Sequence, residues 1–168
     1  MYELGQLMVY GIHGVCRIAD WQIRVVDRKK VEYLVLEPIG QVGTSYLVPL
    51  GNPNALAKLR PVMQPAELEA LLTSEQIRQN NWIPEENARK QYYRTLMSGS
   101  DLEALLQMIC TLEQHKQEQI AAGKKFHQCD ENFLRDAQRL IEGEFSVALG
   151  IPFEEVPAYI SRRIAAAK

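Results

Sequence analysis

Residues 15–38 read VCRIADWQIRVVDRKKVEYLVLEP. Apolar residues recur at alternate positions in three short runs, VCRIADW, QIRVV and VEYLVLE. In an extended chain, alternate positions share a face, so this spacing predicts strands rather than a helix. Asp27 to Lys30 form a polar stretch between the second and third runs, which predicts a hairpin turn there. On either side, QLMVY and TSYLVP repeat the pattern, joined to the block by YGIHG and PIGQVG. Gly11 and Gly14 can take positive φ in the first of these connections. About five short strands result, and so small a set stabilises itself best by curling into an SH3-like or Tudor-like barrel with few open edges.

The period changes further along the chain. GNPNALAKLRPV, with two prolines and Gly51, closes a first unit at residues 1–62, and after Pro65 the apolar spacing becomes helical. AELEALL starts one helix; residues 85–97 form a second, with Pro84 at or near its first position and Ser98-Gly99 as its end. Ser100-Asp101-Leu102-Glu103 fits a capping box, and Leu102, Leu105, Leu106, Ile109 and Leu112 then form one apolar stripe, with Gly123 as the stop. Asp130 can cap a further helix whose Leu134, Ala137, Leu140, Ile141, Phe145 and Ala148 share a face up to Gly150. The last segment, FEEVPAYISRRIAAA, is a short helix if Pro157 lies in its first turn. The expected fold class is α+β: a small β-barrel over 1–62, then an all-helical bundle of about five helices over 63–168.

With 46% apolar and 24% charged residues, the chain has the composition of a folded domain, and disorder is not expected. No run approaches the roughly 18 to 20 uncharged apolar residues that span a bilayer, and MYELGQLMVY lacks the basic and apolar regions of a signal peptide. A cytoplasmic protein without a membrane partner is therefore expected. Cys16, Cys110 and Cys129 are an odd, widely spaced set, which favours buried reduced thiols over disulfides or a zinc ribbon. Net charge is only −2. It divides unevenly: up to Val62 there are 7 Lys+Arg against 5 Asp+Glu, and beyond it 12 against 16. Any phosphate contact in the second half must therefore use a local patch.

Enzyme chemistry finds little support. His13 lies between two glycine-containing turns, where a rim side chain is the ordinary reading. His13 and Cys16 could be drawn as a base and thiolate, but a strand-buried Cys without a third group is ordinarily inert packing. His127-x-Cys129 offers two metal ligands with no second pair at matching spacing. Gly-x-Ser-x-Gly, phosphate-cradling glycine loops and His-Glu-x-x-His are all missing from the sequence. Neither cofactor nor metal is expected.

The local patch lies in QNNWIPEENARKQYY, residues 79–93, and the residues around it. Arg78, Arg89, Lys90 and Arg94 interleave with Trp82, Tyr92 and Tyr93, the residue types that phosphate contact and base stacking or insertion require. Tyr92, Tyr93 and Leu96 read better as a buried face. Trp82, in a polar loop ahead of the helix, is equally consistent with packing and with exposed function. In the first unit, QIRVV at a sheet edge could accept a partner strand through its backbone, with Arg24 adding a charge-assisted contact.

The order of these pieces resembles a known family. LGQLMVYGIHGVCRIADW, EYLVLEP, the LVP at 47–49 and the LRPV at 59–62 are similar to the N-terminal domain of the CarD/CdnL bacterial transcription regulators, which is itself similar to the RNA-polymerase-interacting domain of the transcription-repair coupling factor. Asn81-Trp82, the basic helix after it, SGS before a long helix and LRDAQRLIEGEFSVALG resemble the family's helical domain. The resemblance implies a non-enzymatic regulator of initiation that binds the RNA polymerase β subunit through an edge of the Tudor-like domain. It also implies weak contact with promoter DNA at the upstream edge of the bubble, with a tryptophan wedged at the minor groove to hinder bubble collapse.

Carried over by position, the wedge is Trp82, with Arg89, Lys90 and Arg94 as DNA contacts and Arg24, Val25 and Leu47 on the polymerase-binding edge. Leu47 stands where some members carry a basic residue, so the polymerase contact there would be apolar or weaker. A monomer that joins the nucleoid through polymerase is expected. The competing reading is an interaction protein whose barrel and helical half both bind protein, without DNA contact, and in which Trp82 is an interface anchor.

Overall fold

The computed structural model describes residues 2–99 and 101–166. They form a β-rich unit, Met1–Val62, and a helical unit, Met63–Lys168. The fold class is α+β, as the change of period predicts.

In the first unit, β1 (Leu7–Tyr10), β2 (Val15–Val26), β3 (Lys29–Pro38), β4 (Tyr46–Pro49) and β5 (Leu59–Pro61) make one antiparallel sheet in the order β4-β3-β2-β1-β5. A four-residue helix, α1 (Pro53–Leu56), lies between β4 and β5. Five strands are present, but not the five expected. VCRIADW and QIRVV are one continuous strand, β2, and the fifth strand is Leu59–Pro61 in the segment read as a closing loop. A β-bulge explains the first difference. Ile18 pairs with Leu36 and Asp20 with Val35, which leaves Ala19 as an extra residue and reverses the phase of alternation beyond it.

Met8, Cys16, Ile18, Leu34, Leu36, Val48 and Leu59 form one buried cluster that draws on all five strands, so the sheet must curve around it. Beyond Ile18 the neighbour on the β1 side is lost: β1 pairs only with Val15, Cys16 and Arg17 of β2, and the backbone bonds of Ile18 with Gly5 and Gln6 close that ladder. Residues 20–35 of the β2-β3 hairpin thus continue as an arm, ending in a two-residue turn at Asp27 and Arg28, both at positive φ (50° and 64°). That is the backbone twist tight hairpins favour, although Arg28 lacks the freedom of a glycine there.

The second unit contains α2 (Pro65–Leu72), α3 (Glu86–Ser98), α4 (Leu102–Ala121), α5 (Gln128–Leu149) and α6 (Val156–Ala166), with one-turn 3-10 helices at Gln76–Arg78 and Phe153–Glu155. The α4 stripe of Leu102, Leu105, Leu106, Ile109 and Leu112 packs with Leu134, Ala137, Ile141 and Phe145 of α5, Tyr93 of α3, Leu68 and Leu72 of α2 and Val156 of α6. Asp101 caps α4 by accepting from the Ala104 amide at 3.0 Å, while Ser100 of the expected capping box lies outside the described residues. Gly150 ends α5 in the left-handed conformation (φ 66°, ψ 32°), and Pro157 sits in the first turn of α6, where its missing amide costs no hydrogen bond. Asp130 departs from expectation: α5 begins at Gln128, behind His127, and Asp130 is buried within the first turn. No helix among the described residues is long and apolar enough to cross a membrane.

Candidate functional site

Trp82 is half-buried at the end of a loop that α4 holds from below. Gln107 donates to the Gln79 carbonyl at 2.9 Å; Thr111 donates to Asn81 Oδ1 at 2.9 Å and accepts from the Asn81 amide at 3.3 Å; Asn80 donates to Gln114 at 3.0 Å. The Trp82 amide in turn donates to Asn80 Oδ1 at 2.9 Å, an Asx turn that fixes the direction in which the ring leaves the backbone. The asparagines thus serve as anchors of the loop.

The ring itself has two neighbours. His115 of α4 stacks on it with centroids 3.6 Å apart and planes 15° apart, and the Arg89 guanidinium lies 4.3 Å from the ring centroid. Arg89 is 3% exposed, and its Nε and Nη2 donate to the two carboxylate oxygens of buried Asp130 at 2.9 and 3.0 Å. Nη1 donates to the Ile83 carbonyl at 3.0 Å and the Pro84 carbonyl at 3.4 Å. The planar fork of an arginine can satisfy a carboxylate and two carbonyls at once, which lets a cation exist in this interior. Burial, with a smaller contribution from Arg89, holds the His115 pKa below its ordinary value despite Asp130 and Glu118 nearby. Tyr93 closes the same interior, its pKa pushed up to about 12 by burial first and Asp130 second.

One expected DNA contact lies inside the unit: the Arg89 guanidinium is buried and bonded to Asp130 and two carbonyls rather than presented at the surface. Arg78 of the same basic stretch is likewise used internally, donating to the Leu72 and Ile164 carbonyls at 3.4 and 3.3 Å. Lys90 and Arg94 stand one turn apart on α3; Arg94 is exposed, and Lys90 pairs with Glu86 at 3.0 Å. Tyr93 is fully buried and Tyr92 packs against the same core. Two exposed cations escaped the sequence reading: Lys124 and Lys125 directly precede Phe126, whose ring lies 6.1 Å from His115. A glycine, two lysines, an aromatic and a histidine in a row were the available signal.

In the first unit, the three expected polymerase contacts separate. Arg24 pairs with Val31 and Leu47 with Val35, so β3 lies between them. They do not share an edge. Because cross-strand partners share a face and Val31 and Val35 are four residues apart, Arg24 and Leu47 lie on the same sheet face, about 10 Å apart across the strands and about 13 Å along them. Arg24 donates to Gln22 on that face at 2.9 and 3.2 Å. Val25 lies on the opposite, core-side face, in line with Trp21 and Ile23, and all three are exposed, Ile23 at 65% and Val25 at 70%.

Burial raises the Cys16 thiol to about 11, and His13 stacks on Tyr46 with ring centroids 3.9 Å apart. Among the described residues no three His, Cys, Asp or Glu side chains gather where a metal could bind.

These features define a two-part α+β protein: a curved sheet with an apolar arm, followed by a helical unit that braces a surface tryptophan. Residues 2–63, which cover nearly all of the first unit, match the family model of the CarD-like/TRCF RID domain. The CarD-like/TRCF RID domain is an RNA polymerase β-interacting module of a non-catalytic family, and the match supports RNA polymerase binding by the first unit. No curated protein matches the chain.

Proposed function

We propose that this protein is a transcription regulator that binds the polymerase β subunit through its first unit and stabilises the open promoter complex by wedging Trp82 at the upstream edge of the bubble. The observation that carries the reading is the placement of Trp82: a half-buried ring on a loop tied to α4, next to a helix that presents Lys90 and Arg94. Unstacking a base step costs a few kcal/mol, and an aromatic side chain that binds only the opened geometry shifts the equilibrium by its difference in affinity for the two states. Lys90 and Arg94 supply phosphate contacts, and Lys124 and Lys125 extend them. With 12 basic against 16 acidic residues beyond Val62, the helical unit binds free DNA weakly. Tethering to polymerase supplies the local concentration that charge does not. On the sheet, Arg24 of the arm and Leu47 of β4 share one face and Val25 lies on the other, with the open backbone edge of β2 beside Arg24 and Val25.

The test is the lifetime of open promoter complexes after a competitor challenge. Trp82→Ala is expected to shorten it several-fold while affinity for the β subunit stays unchanged. An unaltered lifetime would sink the wedge.

A further inference from the structure

A ring that enters a base step gains most when its orientation is fixed beforehand, because ordering that would otherwise be lost on binding is already complete. Trp82 meets this condition through groups on three helices. The His115 imidazole of α4 lies flat on the indole at 3.6 Å, and the Arg89 guanidinium of α3 lies 4.3 Å from its centroid. Neither neighbour is loose. Asp130 of α5 holds Arg89 by two bonds, at 2.9 and 3.0 Å, and His115 sits 3.3 Å from the Gln119 amide nitrogen one turn on. Arginine suits the task better than lysine: one planar group can stack on an indole and chelate a carboxylate simultaneously, whereas an ammonium is a point charge with neither geometry.

We propose that Arg89 and His115 are positioning residues that clamp the Trp82 indole in the orientation it presents to opened DNA, with Asp130 holding Arg89 in place. The functional half of this rests on the wedge reading; the clamp is a property of the free protein. The charged and titratable groups around His115 are Arg89 from α3, Glu118 from its own helix, and Asp130 and His127 from the start of α5. Burial and the two cationic or titratable neighbours Arg89 and His127 favour the neutral ring, while Asp130 and Glu118 oppose them. At neutral pH the clamp is therefore indole on uncharged imidazole, and charging His115 places a cation against the ring.

Trp21 is the other of the two tryptophans, so full-length Trp21→Phe leaves Trp82 as sole reporter. Its emission is expected to step with a midpoint below 6.5, the ordinary histidine value, and its time-resolved anisotropy to show little fast ring motion. Adding His115→Gln at this half-buried site should abolish the step and at least double the amplitude of fast motion, with circular dichroism unchanged. Arg89→Lys should also free the ring; should it unfold, the His115 variant still decides. Emission and anisotropy unaffected by His115→Gln would overturn the clamp.

Open-complex lifetimes separate the two readings. A reduction of at least two-fold by His115→Gln, at constant polymerase affinity, supports the positioning role. A lifetime changed by Trp82→Ala but not by His115→Gln overturns that role and leaves the wedge. Lifetimes unmoved by either substitution remove the wedge, and with it the function assigned to the clamp, while the optical signature still reports its geometry.

Discussion

The β2-β3 arm and the Trp82 loop both bring large apolar side chains to the surface, and they do so by opposite means. On the arm, Ile23 and Val25 stand 65% and 70% exposed, beside a strand edge with open backbone groups. On the loop, one ring is half-covered, carried by a backbone that Asn81 and Thr111 tie to α4 and backed by a buried ion pair. An edge can be met by any extended partner through repeated backbone bonds, so it needs little bracing. A lone ring has a single contact to make, and the helical unit commits part of its interior to aiming it.

Removing the bracing should have the largest effect. Asp130→Ala leaves Arg89 charged and unpaired in the interior, and denaturant unfolding is expected to show a loss of about 3–5 kcal/mol. Arg89→Met combined with Asp130→Leu should cost far less, because no charge then remains uncompensated. A double variant as unstable as the single one would show that the pair stabilises the fold by more than mutual neutralisation.

The arm should respond in the reverse sense. Ile23→Glu is expected to leave unfolding free energy within about 0.5 kcal/mol, since the side chain is exposed. The same change should weaken binding to the β subunit about tenfold, or about 1.4 kcal/mol, in a biosensor assay. If stability fell instead and binding held, the contrast between an unbraced docking arm and a braced ring would collapse. The smallest effect lies at the tip: Arg28 has a positive φ that an L side chain adopts at a cost. Arg28→Gly should raise the thermal midpoint, with a gain of several tenths to about 1 kcal/mol.

The fold was legible where one residue pattern maps to one structure. Helices α2 to α6 announce themselves by apolar spacing, glycine stops and the first-turn proline of α6, and the hairpin at residues 27–30 by a polar break between alternating runs. The strand errors have a physical cause. Cys16 and Ile18 alternate in one phase and Trp21, Ile23 and Val25 in the other, so one bulged strand looks like two. Leu59–Pro61 is short and ends in proline, which hides its pairing with β1.

The site was legible in part. Trp82 stood out because a large ring followed polar residues. Its partners did not, because Asp130 lies 41 positions from Arg89 and looks like a helix cap, and His115 sits among the polar residues of α4. Arg89 carried the same ambiguity: a basic residue among basic residues gives no sign that a distant carboxylate will draw it inside.

The bulge at Ala19 has one more consequence. Pairing of the arm is counted from the Asp27-Arg28 turn, and pairing of the base is counted from the core at Ile18; the two counts differ by one, and Ala19 absorbs the remainder. The strand therefore has a joint that tolerates a change of length. Deleting Ala19 leaves every pair on both sides in register, whereas deleting a residue elsewhere in the paired part of the arm turns the remaining side chains of that strand to the wrong face. Along this hairpin, evolutionary insertions and deletions have a natural place to occur, one that leaves both the core and the exposed apolar row intact.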